Sequence, residues 1–426
     1  MTFTGDQFFV NALKVELKNG NFMKRHLIST ISERKYPFDK LEEFSENGES
    51  LEVKIDGLDR ARPKEGLTVW ERFADFLPFD NYTSALSLGE GDTPLLESEK
   101  LAEYLGLDSV LLKNETVNPT WSFKDRGSLP CILMAKQLGE QFVATISTGN
   151  MGASIAAYGA RSGIQPIIFI PTSCPEEKIR SMAIHGAIII KVDAPDFGEM
   201  KRRVLDLSNS FKLRIVSGNG PIRVEGYKFC AFEIYEQLGK EIPDFIAVPT
   251  SACGHIRGLF KGFRELLEAR LIDKLPRMII VQAAENSPLV TAFKQHKMQP
   301  VPFSNIHTIA KAITTGNPPG GDEILKSAYK HHWLAEDVTE EEILMGQRML
   351  GQMGFFVEPS AATSLLAVKK LCDAGKIKRD ESVVLMLTGS GLKDSEVFRY
   401  HQVHIINSSI STIESDLQQV LSRKMP

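Results

Sequence analysis

The sequence predicts an α/β fold carrying two parallel-sheet lobes. From about residue 140, short apolar runs alternate with longer amphipathic stretches, a strand-helix-strand rhythm. The rhythm comes as two series, 142–216 and 244–387. Helices joining successive strands in this way imply parallel pairing.

In the first series the apolar run 142–146 reads as a strand, 151–161 as a helix stopped by Gly163, and 166–170 as the next strand. Pro175 opens a helix reaching about residue 184, followed by a strand at 187–192, a helix at 198–212 and a strand at 214–216. The second series starts after Asp244 with the run FIAVP, continues as a helix over 255–268 and returns to a strand at 278–282. A loop-rich stretch through Asn317-Pro318-Pro319-Gly320-Gly321 precedes helices near 340–353 and 359–372 and the strand 382–387. The first 60 residues carry the weakest pattern, and no tandem repeat or low-complexity segment is present.

Composition narrows the function classes. At 426 residues, 42% of them hydrophobic, the chain can bury two or three cores, which excludes disorder. Fifty Lys and Arg against fifty-four Asp and Glu leave a charge of −4 with the signs interspersed, so no nucleic-acid partner is expected. No run approaches the roughly 18 apolar residues of a membrane span, and the first twenty residues show no leader pattern. A cytoplasmic protein without a membrane partner is expected. The five cysteines (Cys131, Cys174, Cys230, Cys253, Cys372) form no C-x-x-C pair, and the nine His show no ligand spacing, so neither disulfides nor a metal site are expected.

Four features carry possible chemistry. Ser147-Thr148-Gly149-Asn150 follows a strand and opens a helix, where unpaired N–H groups suit an anion but where Ser, Thr and Asn also serve as ordinary caps. Thr250 to His255 makes a second strand-to-helix turn, of small residues that let a phosphate approach the backbone; it lacks the Gly-Lys-Ser/Thr of a Walker loop, and an ordinary βα turn fits equally well. In NPTWSFKDRG (118–127), Lys124 sits between aromatic residues and an Asp-Arg pair. A desolvated lysine loses its preference for the charged form and becomes an amine nucleophile, although a lysine in such a setting is more often plain surface charge. A third strand-following loop, Thr388-Gly389-Ser390-Gly391, completes the set.

The order of these features resembles the threonine synthase branch of the fold-type II pyridoxal-phosphate enzymes. The resemblance runs through SLGEGDTPLL (87–96), LLKNETVNPTWSFKDRG (111–127), STGNMGASIAAYGARSG (147–163), IRVEGYKFCAFEI (222–234), TIAKAITTGNP (308–318), GFFVEPSAATSLLAV (354–368) and VVLMLTGSGLKD (383–394). It implies pyridoxal 5′-phosphate in a cleft between the two lobes, with 1–114 and 226–426 as a large domain, 1–80 as its lead-in, and 115–225 as a small substrate-closing domain. Lys124 matches the lysine that carries the cofactor and then moves protons. Phe123 and Asn150 match cofactor contacts, the segment Ser251, Ala252, Cys253, Gly254 and His255 the cofactor-phosphate loop, and Thr388 the hydroxyl facing the pyridine nitrogen. Ser147, Thr148, Asn150 and Met151 match the substrate loop, and Arg223 and Lys228 fall in the region that holds the substrate phosphate.

The implied activity is that of a carbon-oxygen lyase converting O-phospho-L-homoserine and water to L-threonine and phosphate, in a homodimer. The alternative is β-replacement or elimination on another amino acid such as O-phosphoserine, as in cysteate synthase. Departures from the family pattern bear on this choice: Trp121 replaces a small residue, Met151 a threonine, Ser390 a histidine, and Ser217-Gly218-Asn219-Gly220-Pro221 the usual Asn-Ser-x-Asn-Pro. The lead-in 34–58 lacks the zinc-ribbon cysteines seen in some relatives.

Overall fold

The computed structural model describes residues 24–422 apart from 40, 80, 81, 196, 305 and 402–404. The first twenty residues, read above for a leader, lie outside them. The described residues form three sheets. In the lead-in, β1 (Arg25–Ser29) pairs antiparallel with β2 (Lys35–Tyr36) and β3 (Leu51–Ile55). A six-stranded sheet contains β4 (Leu95–Glu97), β5 (Val110–Asn114), β9 (Phe245–Pro249), β10 (Arg277–Ala283), β11 (Leu334–Val338) and β12 (Val383–Leu387) in the order β11-β10-β9-β12-β5-β4, parallel except for β4. The third sheet, β6 (Phe142–Ile146), β7 (Gln165–Pro171) and β8 (Ile188–Val192), is parallel throughout.

The helices are α1 (Val69–Arg72), α2 (Glu99–Leu105), α3 (Lys124–Gln137), α4 (Asn150–Ser162), α5 (Glu176–Ala183), α6 (Phe197–Phe211), α7 (Pro221–Tyr227) and α8 (Phe229–Gln237). They continue with α9 (Gly254–Glu268), α10 (Pro288–Lys294), α11 (Gly321–Lys330), α12 (Glu340–Gln352), α13 (Pro359–Asp373) and α14 (Ile413–Ser422). Every residue of β9 and β12 is buried, which is why both read as unbroken apolar runs: a parallel strand covered on both faces has no polar side to show. Gly163 ends α4 in the left-handed region at φ 75°, as its position after the apolar period predicts.

The strands β5 and β11 and the helices α3, α7 and α8 are additional to the sequence expectation, and residues 214–216 and the lead-in differ from it. Residues 214–216 make only a single parallel bridge, Ala144 to Ile215, because the chain turns at once into the cleft loop 217–220. The lead-in, which showed little pattern, folds as a small sheet with Leu51, Val53 and Ile55 buried and the intervening residues half-buried. These residues join the core of Leu259 and Phe263 on α9, and Lys261 and Arg257 of α9 donate to the carbonyls of Val53 and Leu51.

The contact between α3 and α7 places the lysine motif. Pro130 has no N–H to return to the Arg126 carbonyl four residues earlier, and α7 comes in at that spot. A Cβ on Gly226 would lie 1.9 Å from Arg126 O, and one on Gly127 2.5 Å from Arg223 Cγ, so the two helices touch through two glycines. Beneath them Arg126 is fully buried and held by Glu115 at 2.6 Å and by Glu233, which also pairs with buried Lys113 at 2.7 Å. Among the described residues no helix is long and apolar enough to cross a membrane, and no group of three or more His, Cys, Asp or Glu could hold a metal ion.

Candidate active site

The C-terminal ends of the parallel strands open onto a cleft of about 1460 Å³. Lys124 lies on its wall as the first residue of α3. The preceding loop is stitched to the loop after β12: Phe123 N–H donates to Thr388 O at 3.1 Å and Ser390 N–H to Trp121 O at 3.0 Å. Asp125 braces the loop from inside, accepting the Thr120 N–H and hydroxyl and the Ser154 hydroxyl, each at 2.6 Å. The Lys124 amine stands 4.3 Å from the centre of the Phe123 ring. Burial and the Arg223 guanidinium push this amine down to about 7, against the pull of Glu358, so a large share of it is neutral at neutral pH.

Thr388 and Phe123 share a narrow inner pocket with Lys124 and the turn after β9. In that turn the N–H groups of Ser251, Ala252, Cys253, Gly254 and His255 find no partner among the described residues. Cys253 takes φ +71°, and α9 begins at Gly254, so its dipole points its positive end at the same place. A Cβ at Gly254 would lie 2.2 Å from Gly218 O, which explains the glycine. The Ser251 hydroxyl is engaged with Thr315 at 2.8 Å, leaving the backbone of the turn free for an anion. His255 stacks on Phe123 at 3.9 Å, and both its ring nitrogens are buried without a partner. Burial pushes its imidazole down to about 3, against the pull of Glu115, so it is neutral.

At the start of α4 the Ser147 hydroxyl accepts the N–H groups of Gly149 and Gly152 at 3.3 and 3.2 Å. Ser147 therefore acts as a helix cap, while Thr148, Asn150 and Met151 line the cleft with backbone N–H groups that have no partner among the described residues. The Asn150 amide donates to both oxygens of Glu358 at 3.1 and 2.9 Å. Glu358 was not singled out in the sequence, although it lies in the quoted segment GFFVEPS. Its signal is an isolated acid between an apolar run and a helix-opening proline. Burial raises its carboxyl, against the Asn150 hydrogen bond. Lys393, also unforeseen, donates to Thr120 O at 2.7 Å beside the cleft.

Two expected substrate residues are placed elsewhere. Lys228 is fully buried between Glu225 at 2.6 Å and Glu265 at 2.8 Å, a charge-balanced site off the cleft. Arg223 is also fully buried behind the lysine loop; it donates to Ser217 O at 3.0 Å and Lys124 O at 3.3 Å, while its Nη2 is buried without a partner among the described residues. The loop 217–219 is instead met by the lead-in: Glu43 accepts the Ser217 hydroxyl and the Asn219 amide.

Residues 86–389 match the family model described as pyridoxal-phosphate dependent enzyme. The threonine synthase of Methanocaldococcus jannaschii is 38% identical over 347 residues, spanning 81% of this chain and 85% of that protein. The threonine synthase of Methanosarcina acetivorans is 36% identical over 349 residues, spanning 82% and 84%. Among solved structures, the processed form of threonine deaminase isoform 2 from Solanum lycopersicum superposes with a TM-score of 0.61 at 21% identity, covering 72% of this chain and 86% of that one. O-ureido-L-serine synthase gives 0.61 at 17% identity, covering 79% and 100%. At these identities the structural likenesses speak for the fold.

Proposed function

The chain belongs to the family of pyridoxal-phosphate dependent enzymes, and we propose that it converts O-phospho-L-homoserine and water to L-threonine and inorganic phosphate. The observation that carries this reading is the 38% identity to a threonine synthase sustained over 81% of the chain. The residues present fit pyridoxal 5′-phosphate. The unpaired N–H groups of Ser251 to His255 suit its phosphate, Thr388 and Asn150 suit the ring's polar atoms, and Lys124 supplies the amine for its aldehyde. When bound, the cofactor supplies an electron sink for charge developing on the substrate carbons.

The chain's own groups do the rest. Lys124, held near neutrality, takes up and returns protons at Nζ. Thr148, Asn150 and Met151 offer N–H groups to the substrate carboxylate, and Ser147 holds that turn in shape. Arg223 keeps a positive charge behind Lys124, which favours the neutral amine. In this reading 115–225 is a small domain that closes on the substrate and excludes water, within a large domain of 1–114 and 226–426. The enzyme serves amino-acid biosynthesis as a cytoplasmic homodimer, and its five free cysteines are in keeping with a reducing compartment.

The test mixes the holoenzyme separately with O-phospho-L-homoserine, O-phospho-L-serine and L-threonine, following phosphate release and product identity. Phosphate and threonine from the first substrate are expected. Phosphate release from O-phospho-L-serine alone would overturn the substrate assignment in favour of the β-replacement or elimination reading.

A further inference from the structure

Trp121 holds a conformation that its side chain disfavours. Its φ is +64°, in the left-handed region where a Cβ crowds the backbone and glycine is the natural occupant. The surroundings enforce it: Trp121 N–H donates to Asn118 O at 2.7 Å, Ser390 N–H donates to Trp121 O at 3.0 Å, and Ser122 bridges to Gly389. The indole is 51% exposed, whereas Trp70 and Trp333 are 1% and 2% exposed. No ring or cation stacks on it, and its N–H makes no hydrogen bond, among the described residues. The fold thus accepts backbone strain and gains little burial in return. What remains is position: the indole lines the same cleft as the Lys124 amine three residues on. Strain kept at such a place points to a role with the ligand.

We infer that Trp121 is a substrate-binding residue of this cleft, forming the wall on which the aliphatic carbons of the substrate pack. The inference rests on the proposed function only for the identity of the preferred substrate. A flat apolar face in the cleft that holds the Lys124 amine offers close contact to the methylene carbons of a substrate.

The test compares wild-type holoenzyme with Trp121→Gly and Trp121→Phe. For O-phospho-L-homoserine, Trp121→Gly is expected to raise KM at least fivefold with kcat within threefold, and Trp121→Phe to keep KM within threefold. Glycine relieves the left-handed strain, so Trp121→Gly should melt no lower than wild type, and a higher KM would not reflect misfolding. In wild-type holoenzyme, saturating L-threonine should reduce acrylamide quenching of tryptophan fluorescence at least twofold. A KM within twofold in Trp121→Gly together with unprotected fluorescence would overturn the inference. If wild type turns over only O-phospho-L-serine, the functional reading fails, and the same KM comparison with that substrate still decides the role of Trp121.

Discussion

The side chain on which the account turns is Lys124, and its acid-base state is set by place rather than by residue type. Partly open to the cleft yet enclosed by Phe123 and faced by Arg223, its amine is pushed down to about 7 from 10.5. Between those values the unfolded chain binds more protons than the folded one, so this residue makes stability rise with pH over that window. In the cofactor-free protein, Lys124→Met should be more stable than wild type at pH 6 by on the order of 2–3 kcal/mol, screening by cleft water included. Urea unfolding should show the gap narrowing toward pH 9.5, and a gap that widens would contradict the assigned shift. The sequence made Lys124 legible because its aromatic and Asp-Arg neighbours are adjacent in the chain. The burial of Arg223 and Lys228 was not legible in the sequence because the partners that surround them, Ser217 and Lys124 for one, Glu225 and Glu265 for the other, come together only in the fold. Glu358 escaped notice for the same reason: its tie to Asn150 spans 208 residues.

At the scale of elements, β6, β7, β8, β9, β10 and β12 were readable from their apolar runs, β9 and β12 most plainly because burial on both faces leaves a continuous apolar signature, whereas β5 and β11 were not assigned. The lysine-bearing helix α3 was not assigned: it is buried over most of its length, with little amphipathic contrast, and has Pro130 inside it. The contact that orients it is made by glycines, whose value depends on what lies opposite. Gly226→Ala would set a methyl group 1.9 Å from Arg126 O, on backbone that cannot yield. We expect a loss of about 1–3 kcal/mol of stability from overpacking, read by thermal melting. We also expect a fall in kcat of at least tenfold, because α7 would be pushed off the helix that starts with Lys124. Unchanged kcat in a folded Gly226→Ala protein would show that the α3–α7 contact does not position the lysine.

Across the whole molecule, the cleft is assembled from distant parts of the chain: the lysine loop at 118–127, the α4 turn, the lead-in at Glu43, the turn before α9 and the loop after β12. The lead-in sheet was illegible as a unit because its strands are short and find their core on α9, some 200 residues away. Docked there, it extends to the loop 217–219 and so connects the cleft wall to a part of the chain outside the matched family segment 86–389. Everything converges on one amine, and the measurement that tests it most directly is reductive trapping. The holoenzyme is reduced with borohydride, digested, and its peptides are weighed by mass spectrometry. The account predicts the reduced cofactor on the peptide containing Lys124 and none in Lys124→Ala; the cofactor fixed to a different lysine, or to none, would contradict it.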